Sequence, residues 1–480
     1  MNLNYNEKVK LAVFSDEINL RLIEFSKEFK GVDIYLVGGY LRDIVLDIPT
    51  EDRDYVITGM SGLLFAEKVA KFFNGHYVLL DKENGIARVV LPDKKDYIDI
   101  APCIGKDIYE DLSRRDFTIN AMAYKLNCNP DFQIIDPHNA LELIKDKIIK
   151  AISEKNIKDD PLRILRAFRI AAQLSGNIDH STIDFFKQNY KLIVNSAEER
   201  VNSELNKLFS LNNSFDYFKM LVDTGILEVI IPELHELHKV PGRGYHHLGL
   251  FEHTLEVYKQ IELLIKNLSE RTVNHLNEFL THSTRRIVAL KYAALLHDIS
   301  KPGTWVITDD GKHTFIGHPV EGAVLSEQIL KRLKLPNTLI KATCKLVRYH
   351  LYPSQLSGET NLPTAKAMRR LFRKGGNEVP ELIILAIADR KSALGPLITI
   401  EDVNNQVEML IGILDEYYNY LDIEDELPLL LNGRDIMHLL SIKPSPKVGI
   451  ILNALREYQI ECGITNRETA VEWLLKNYGK

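Results

Sequence analysis

The chain has 480 residues, 45% of them hydrophobic and 26% charged, with a formal net charge of −6. That length allows several domains, and the balance is that of a soluble globular protein, not a disordered or fibrous one. A net negative charge argues against indiscriminate nucleic-acid binding but leaves room for local basic surfaces. No apolar run is long enough to span a bilayer, and residues 1–8 lack the apolar core of a signal peptide. The four cysteines (Cys103, Cys128, Cys344 and Cys462) are scattered without CxxC spacing. That pattern points to reduced thiols in the cytoplasm and away from structural zinc.

Residues 1–135 read as mixed α/β. An apolar-faced helix over roughly 16–29 precedes a strand ending at Val37. Further strands rich in Val, Ile and Tyr are predicted at 54–58, 77–80, 86–91 and 97–101. From Ala140 onward helix signals dominate: Ile144, Ile148, Ile149 and Ile152 fall at helical spacing, and 161–174 continues the pattern. Gly176, Gly225 and Pro241-Gly242-Arg243-Gly244 interrupt it. The expected architecture is α+β: a head (1–135), a helical neck (136–230), a helical third domain with most of the histidines (231–410) and a helical tail (411–480).

The chemistry begins at Gly38-Gly39-Tyr40-Leu41-Arg42-Asp43, followed by Asp52-Arg53-Asp54. Glycines let backbone N–H groups approach a phosphate. On a strand, residues i and i+2 share a face, so Asp52 and Asp54 present their oxygens side by side. Such a pair suits a hard cation such as Mg2+. Taken singly, each of these features is more often a turn or a solvated strand. Downstream lie Arg114-Arg115-Asp116-Phe117-Thr118-Ile119-Asn120-Ala121-Met122, then Asp159-Asp160-Pro161-Leu162-Arg163-Ile164-Leu165-Arg166, and Glu199-Arg200-Val201. The arginines can carry triphosphate charge, and Asn120 can bond a sugar or phosphate.

These four segments, in this order over about 33–225, resemble the bacterial tRNA nucleotidyltransferases of class II: the CCA-adding enzymes and their poly(A) polymerase relatives. The resemblance implies a polymerase-β-like head, with Asp52 and Asp54 holding Mg2+. It also implies nucleotide contacts from Gly38, Gly39, Arg42, Arg114, Arg115, Asp116, Asn120 and Arg166. Asp99 is a candidate third carboxylate, with a surface strand aspartate the competing explanation. Asp160 and Arg163, three apart on a helix face, would imitate a pairing edge for C or A. Alone, Asp160 before Pro161 reads as a helix N-cap. The connection from Asp99 to Leu112 leaves little room for a flexible loop found in most members that add the full CCA. Within the family its absence is associated with addition of two cytidines only. The expected substrates are therefore tRNA and CTP, with ATP if full CCA is made. The alternatives are an A-adding enzyme or a poly(A) polymerase.

A second constellation is His253, His297-Asp298 and Asp389, which resembles the HD superfamily of metal-dependent phosphohydrolases. Mixed imidazole and carboxylate ligands suit a divalent transition metal, with His318 and His350 as further ligands or phosphate contacts. Each histidine alone is more often a packed or surface residue, but an adjacent His-Asp on an apolar helix is costly to bury unpaired. A phosphohydrolase acting on RNA 3′ or 2′,3′-cyclic phosphates is therefore a rival function. For RNA contact, 145–169 holds eight Lys/Arg against four Asp/Glu. A second basic cluster is Lys366, Arg369, Arg370, Arg373 and Lys374, and Lys443-Pro444-Ser445-Pro446-Lys447 offers a helix N-terminus to phosphate. The sequence leaves oligomeric state open.

Overall fold

The computed structural model describes residues 4–92, 96–127, 133–242, 247–356 and 363–479. Cys128 and part of the 241–244 break lie outside them. The chain forms two compact units: residues 1–236 with 328–336, and residues 237–327 with 337–480.

In the first unit, α1 (Tyr5–Ser15) and α2 (Glu17–Ser26) precede β1 (Asp33–Val37). The expected single helix is thus preceded by another. α1 buries only Val9 and Val13, so its apolar stripe is thin, and its real signal is the capping box of Asn4 and Glu7. After α3 (Gly39–Val45) come β2 (Arg53–Thr58), α4 (Gly62–Phe72), β3 (His76–Asp81), β4 (Ile86–Val90) and β5 (Tyr97–Pro102). These are the four expected strands, within a residue or so of their predicted ends. A further short strand, β6 (Ala123–Lys125), closes the sheet beyond α5 (Ile108–Ser113). The order is β3-β4-β5-β2-β1-β6. Within this sheet only β2 and β5 run parallel, and their register sets Asp54 opposite Asp99. Tyr35, Val37, Val56, Ile108, Leu112, Ala121 and Ala123 form one buried cluster of the head.

Beyond α6 (Ala140–Lys145) the isoleucine periodicity misleads. Lys147 takes a left-handed conformation (φ 53°), and Ile148–Ile149 then form a two-residue strand, β7. After α7 (Glu154–Asp159) and α8 (Arg163–Leu174), β8 (Asn177–Ile178) pairs parallel with β7. Gly176 makes the pairing possible: a Cβ there would sit 2.2 Å from the Lys147 carbonyl oxygen. Isoleucine suits either element when buried, and the close backbone approach decided between them.

The second unit is almost wholly helical. The helices Leu250–Ile265, Arg286–Leu296, Asn337–Tyr349 and Val379–Ser392 are lined with buried apolar side chains. A small hairpin, Val306–Ile307 with His313–Thr314, interrupts the expected helical run. The helix Ile400–Glu426 runs through residue 410, and a separate apolar cluster around Leu431, Ile436, Ile451 and Leu474 holds the tail.

Arg53 anchors the strand that carries the paired aspartates. It alternates to the opposite face from Asp52 and Asp54 and is buried. Its Nε and Nη2 donate to Asp16 Oδ2 at 2.9 and 2.6 Å, and the Tyr40 hydroxyl donates to the same oxygen at 3.1 Å. Asp16 Oδ1 meanwhile accepts from Asn19 N and caps α2. Asp16→Ala removes a cap and the strongest partner of a buried guanidinium, leaving it the Glu51 carbonyl and Asp96 at 3.4 Å, so it should destabilise the first unit by about 2–4 kcal/mol. Chemical denaturation followed by circular dichroism measures that loss.

Candidate functional site

Asp54 stands on β2, Asp52 just before the start of that strand, and Asp99 beside Asp54 on β5; one oxygen of each lies within 4.8 Å of the others. Asp54 keeps part of its surface open to a cleft of about 290 Å³, whose walls include Asp99, Arg114, Arg115, Asp160, Arg163 and Arg166. The Asp54 carboxyl is pushed up to about 7, first by loss of water and then by the negative charges of Asp52 and Asp99. Carboxylates gathered this closely, with Asp54 reluctant to ionise without a cation, fit a hard divalent metal. Gly38 (φ 78°) turns the chain at the cleft edge. A Cβ there would lie 3.2 Å from Asp54 Oδ2 and 3.6 Å from Arg115 Nη1.

The structure brings most of the predicted residues to this place, in unequal roles. Arg114 and Arg115 both lean on Asp111, which is fully buried: Arg114 Nη2 to Oδ1 is 2.6 Å and Arg115 Nη2 to Oδ2 is 3.1 Å. Asp111 was missed from the sequence, although its i+3 and i+4 spacing to the two arginines was there to find. Asp116 is itself buried and saturated. It accepts from Arg166 (Nε 3.0 Å, Nη2 2.8 Å), from Phe117 N (2.7 Å) and from Asn120 Nδ2 (3.2 Å). Burial alone would raise its pKa, but Arg166 and these donors outweigh burial and hold it below the ordinary value. Asp116, which also lines the cleft, thus positions its neighbours. Asn120 Oδ1 accepts from Arg42 Nη1 at 2.8 Å, and Arg42 Nε donates to Asp43 at 2.8 Å. Gly39 opens α3 at the foot of Arg42.

Asp160 and Arg163 do not share a helix face. Asp160 sits in extended backbone at the end of α7, and Arg163 is the first residue of α8. Pro161 between them prevents α7 from running into α8. Asp160 is no N-cap either: Leu162 holds that position, and the Asp160 carboxylate accepts from Arg200 Nη2 at 2.9 Å. Both side chains nonetheless line the same cleft. Arg163 Nη1 donates to the Arg115 carbonyl (3.1 Å), and Asn156 Nδ2 donates to the carbonyls of Ser113 (2.9 Å) and Arg115 (2.8 Å).

The second constellation also comes together, with His318 and His350 beside it. His253 Nε2 lies 3.1 Å from Asp389 Oδ1, and His297 Nε2 lies 3.2 Å from Asp298 Oδ2. His318 Nε2 approaches Asp298 Oδ1 at 3.3 Å, and His350 Nε2 approaches it at 3.7 Å. Lys301 Nζ is 2.6 Å from Asp298 Oδ2. Nδ1–H groups of His297, His318 and His350 donate to the carbonyls of Ala294, Phe315 and Val347 at 2.9, 2.7 and 2.7 Å. A carbonyl can only accept, so each of these rings carries its proton on Nδ1 and turns Nε2 inward. The Nε2 atoms of His318 and His350 face each other at 3.4 Å. Two inward lone pairs beside buried carboxylates fit a metal ion better than a packed core. His253, His297 and Asp389 form one set of donors within 4.8 Å, and Asp298, His318 and His350 form another.

The basic clusters are mixed. In 145–169 the five lysines point outward, whereas the arginines turn inward, Arg169 pairing with Glu204 at 2.5 Å. On the helix Ala365–Gly375, Arg369 pairs with Glu461 and Arg373 with Glu457. The helix Pro446–Cys462 does begin at the predicted Ser-Pro pair.

Comparison with known proteins gives this arrangement its family. Residues 34–150 match the Poly A polymerase head domain, 177–237 match the probable RNA and SrmB-binding site of polymerase A, and 250–394 match the HD domain. The A-adding tRNA nucleotidyltransferase of Deinococcus radiodurans is 31% identical over 88% of this chain and 90% of its own. The CC-adding tRNA nucleotidyltransferase of Thermus thermophilus is 29% identical over 92% and 93%. A CCA-adding enzyme solved with CTP shares the fold, with a TM-score of 0.64 and 20% identity over 99% of each chain. The chain belongs to the tRNA nucleotidyltransferases, enzymes that add nucleotides without a nucleic-acid template.

The raised Asp54 carboxyl has a measurable consequence. It keeps its proton in the fold at pH values where the unfolded chain has already lost it. Stability therefore falls as pH rises from the ordinary carboxylate range through about 7. Asp54→Asn should stabilise the EDTA-treated protein at pH 8 by about 1–3 kcal/mol, discounted for its partial exposure, with the gain shrinking toward pH 5. Thermal unfolding at the two pH values reads the difference.

Proposed function

We propose that this chain adds two cytidines from CTP to tRNA that lacks its 3′ CCA. The observation that carries this reading is the link between β5 and α5, which is only residues 103–107. In the family, lack of a long loop here accompanies CC addition. In this reading Asp52 and Asp54 hold Mg2+, and Arg114 and Arg115, steadied by Asp111, carry the triphosphate with Gly38, Gly39 and Arg42. Asn120 and Arg166 are held to their places by Asp116. Asp160 and Arg163 offer the base an acceptor and a donor across the same cleft. When bound, Mg2+ lowers the pKa of the RNA 3′-hydroxyl and offsets charge on the α-phosphate as pyrophosphate leaves. The outward lysines of 145–158 and the start of the helix Pro446–Cys462 are the surfaces we assign to tRNA phosphates, which makes binding strongly salt-dependent. The head (1–135), neck (136–230), histidine-rich domain and tail are the working divisions, with the last boundary drawn after Glu426 where the long helix ends. The expected compartment is the cytoplasm.

A second reading, A addition from ATP, is favoured by the 31% identity to the Deinococcus radiodurans enzyme. Incorporation on tRNAs ending before CCA, after C and after CC, with CTP and ATP supplied separately, separates the two. CC addition predicts two cytidines on the first substrate and no adenosine on the third; adenosine on the third alone supports A addition. Asp54→Ala should lower any addition by about 10³-fold or more, ~4 kcal/mol of barrier.

In the histidine-rich domain we assign a divalent transition metal to His253, His297, Asp298 and Asp389, with His318 and His350 as further ligands. Elemental analysis after dialysis should find it in the wild type and in the control His282→Ala, but not in His297→Ala. No metal in the wild type after loading overturns the assignment. If that centre also hydrolyses RNA 3′ or 2′,3′-cyclic phosphates, Asp54→Ala leaves the hydrolysis intact.

A further inference from the structure

Arg88, on β4, is the register partner of Asp99 on β5, and Asp99 is the register partner of Asp54 on β2. The three side chains therefore stand in one row across neighbouring strands. Arg88 grips both oxygens of Asp99: Nε to Oδ1 is 2.7 Å and Nη2 to Oδ2 is 2.7 Å. The guanidinium also lies 3.9 Å above the centre of the Tyr97 ring. The Tyr97 hydroxyl in turn donates to Asp52 Oδ1 at 3.0 Å. Arg88, Asp99 and Asp54 thus stand side by side across the sheet, and Tyr97 links the Arg88 guanidinium to Asp52.

We propose that Arg88 is a positioning residue that withholds Asp99 from the metal and makes the head a two-carboxylate centre. A bidentate fork fixes the plane of a carboxylate and occupies both its oxygens. Stacking on Tyr97 fixes the fork in turn, so Asp99 reaches a metal only by breaking a pair built at both ends. Asp99 then acts on the centre by its charge, balanced by Arg88, and Tyr97 orients the exposed Asp52. This rests on the reading of Asp52 and Asp54 as metal ligands.

The test is Mn2+ binding to the full-length protein, followed by water-proton relaxation. The head-site part of the isotherm is the part that Asp54→Ala removes. Arg88→Met frees Asp99 to join the metal and should tighten head-site binding about tenfold, the lower end of what groups behind metal ligands control. Arg88→Lys keeps the charge but loses the fork, and it should tighten binding as well. Arg88→Met combined with Asp99→Asn removes the released ligand and should return affinity to the wild-type value. The proposal is overturned if Arg88→Met and Arg88→Lys bind Mn2+ no more tightly than wild type. It is equally overturned if the double variant binds more weakly, since Asp99 would then already be a ligand. If Asp54→Ala removes no part of the isotherm, the metal site itself is wrong and this inference falls with it.

Discussion

Asp54 stands in a cleft with little water around it and with two further carboxylates at its side. Negative charge crowded in this way must be offset by cations or protons, and much of the head is arranged around that need. Arg88 answers Asp99, Tyr97 tethers Asp52, and Arg115 comes close to the turn at Gly38. On the far face of the same strand Arg53 is held by Asp16, so the backbone bearing the aspartates cannot slide to relieve their repulsion. The aspartates are thereby kept at a spacing that the free side chains would not choose for themselves.

The histidine-rich centre meets the same problem by other means. Asp298 is buried; burial pushes its carboxyl up, but His297 and Lys301 pull it down further, well below the usual range. There imidazoles join Lys301 in offsetting the charge, three of them aimed by a backbone carbonyl three residues earlier. An arginine keeps its charge at any ordinary pH, whereas an imidazole can give up its proton and become a ligand. One sheet and one helical bundle thus hold carboxylates in place with chemically different partners.

Five of the six strands of the head sheet were legible, because alternation of Val, Ile and Tyr leaves few other readings; the short β6 was not. The paired aspartates were legible because their spacing and their setting agree. What could not be read was decided across distance in the chain. Ile148 and Ile149 would pack equally well in a helix, and only the approach of Gly176 to Lys147 makes them a strand. Arg88 gave no sign in sequence, because its meaning depends on β4 lying beside β5. Asp160 and Arg163 were expected on one helix face; they line one cleft because α7 and α8 meet at Pro161. Asp111 was readable from spacing, but a lone acid before two arginines looks like any surface pair until its burial is known.

The two bonds from Asn156 to the carbonyls of Ser113 and Arg115, and the bond from Arg163 to Arg115, tie the arginine segment to α7 and α8 by its main chain. Those contacts are blind to side-chain identity on the arginine segment, so they persist through substitution there. Grafting α7 and α8 from a relative with different base preference would therefore bring along a slightly different seat for the arginines too. Exchanges between such enzymes should succeed when the boundary encloses Ser113 through Leu174 as one piece, and give poor hybrids when it cuts between them.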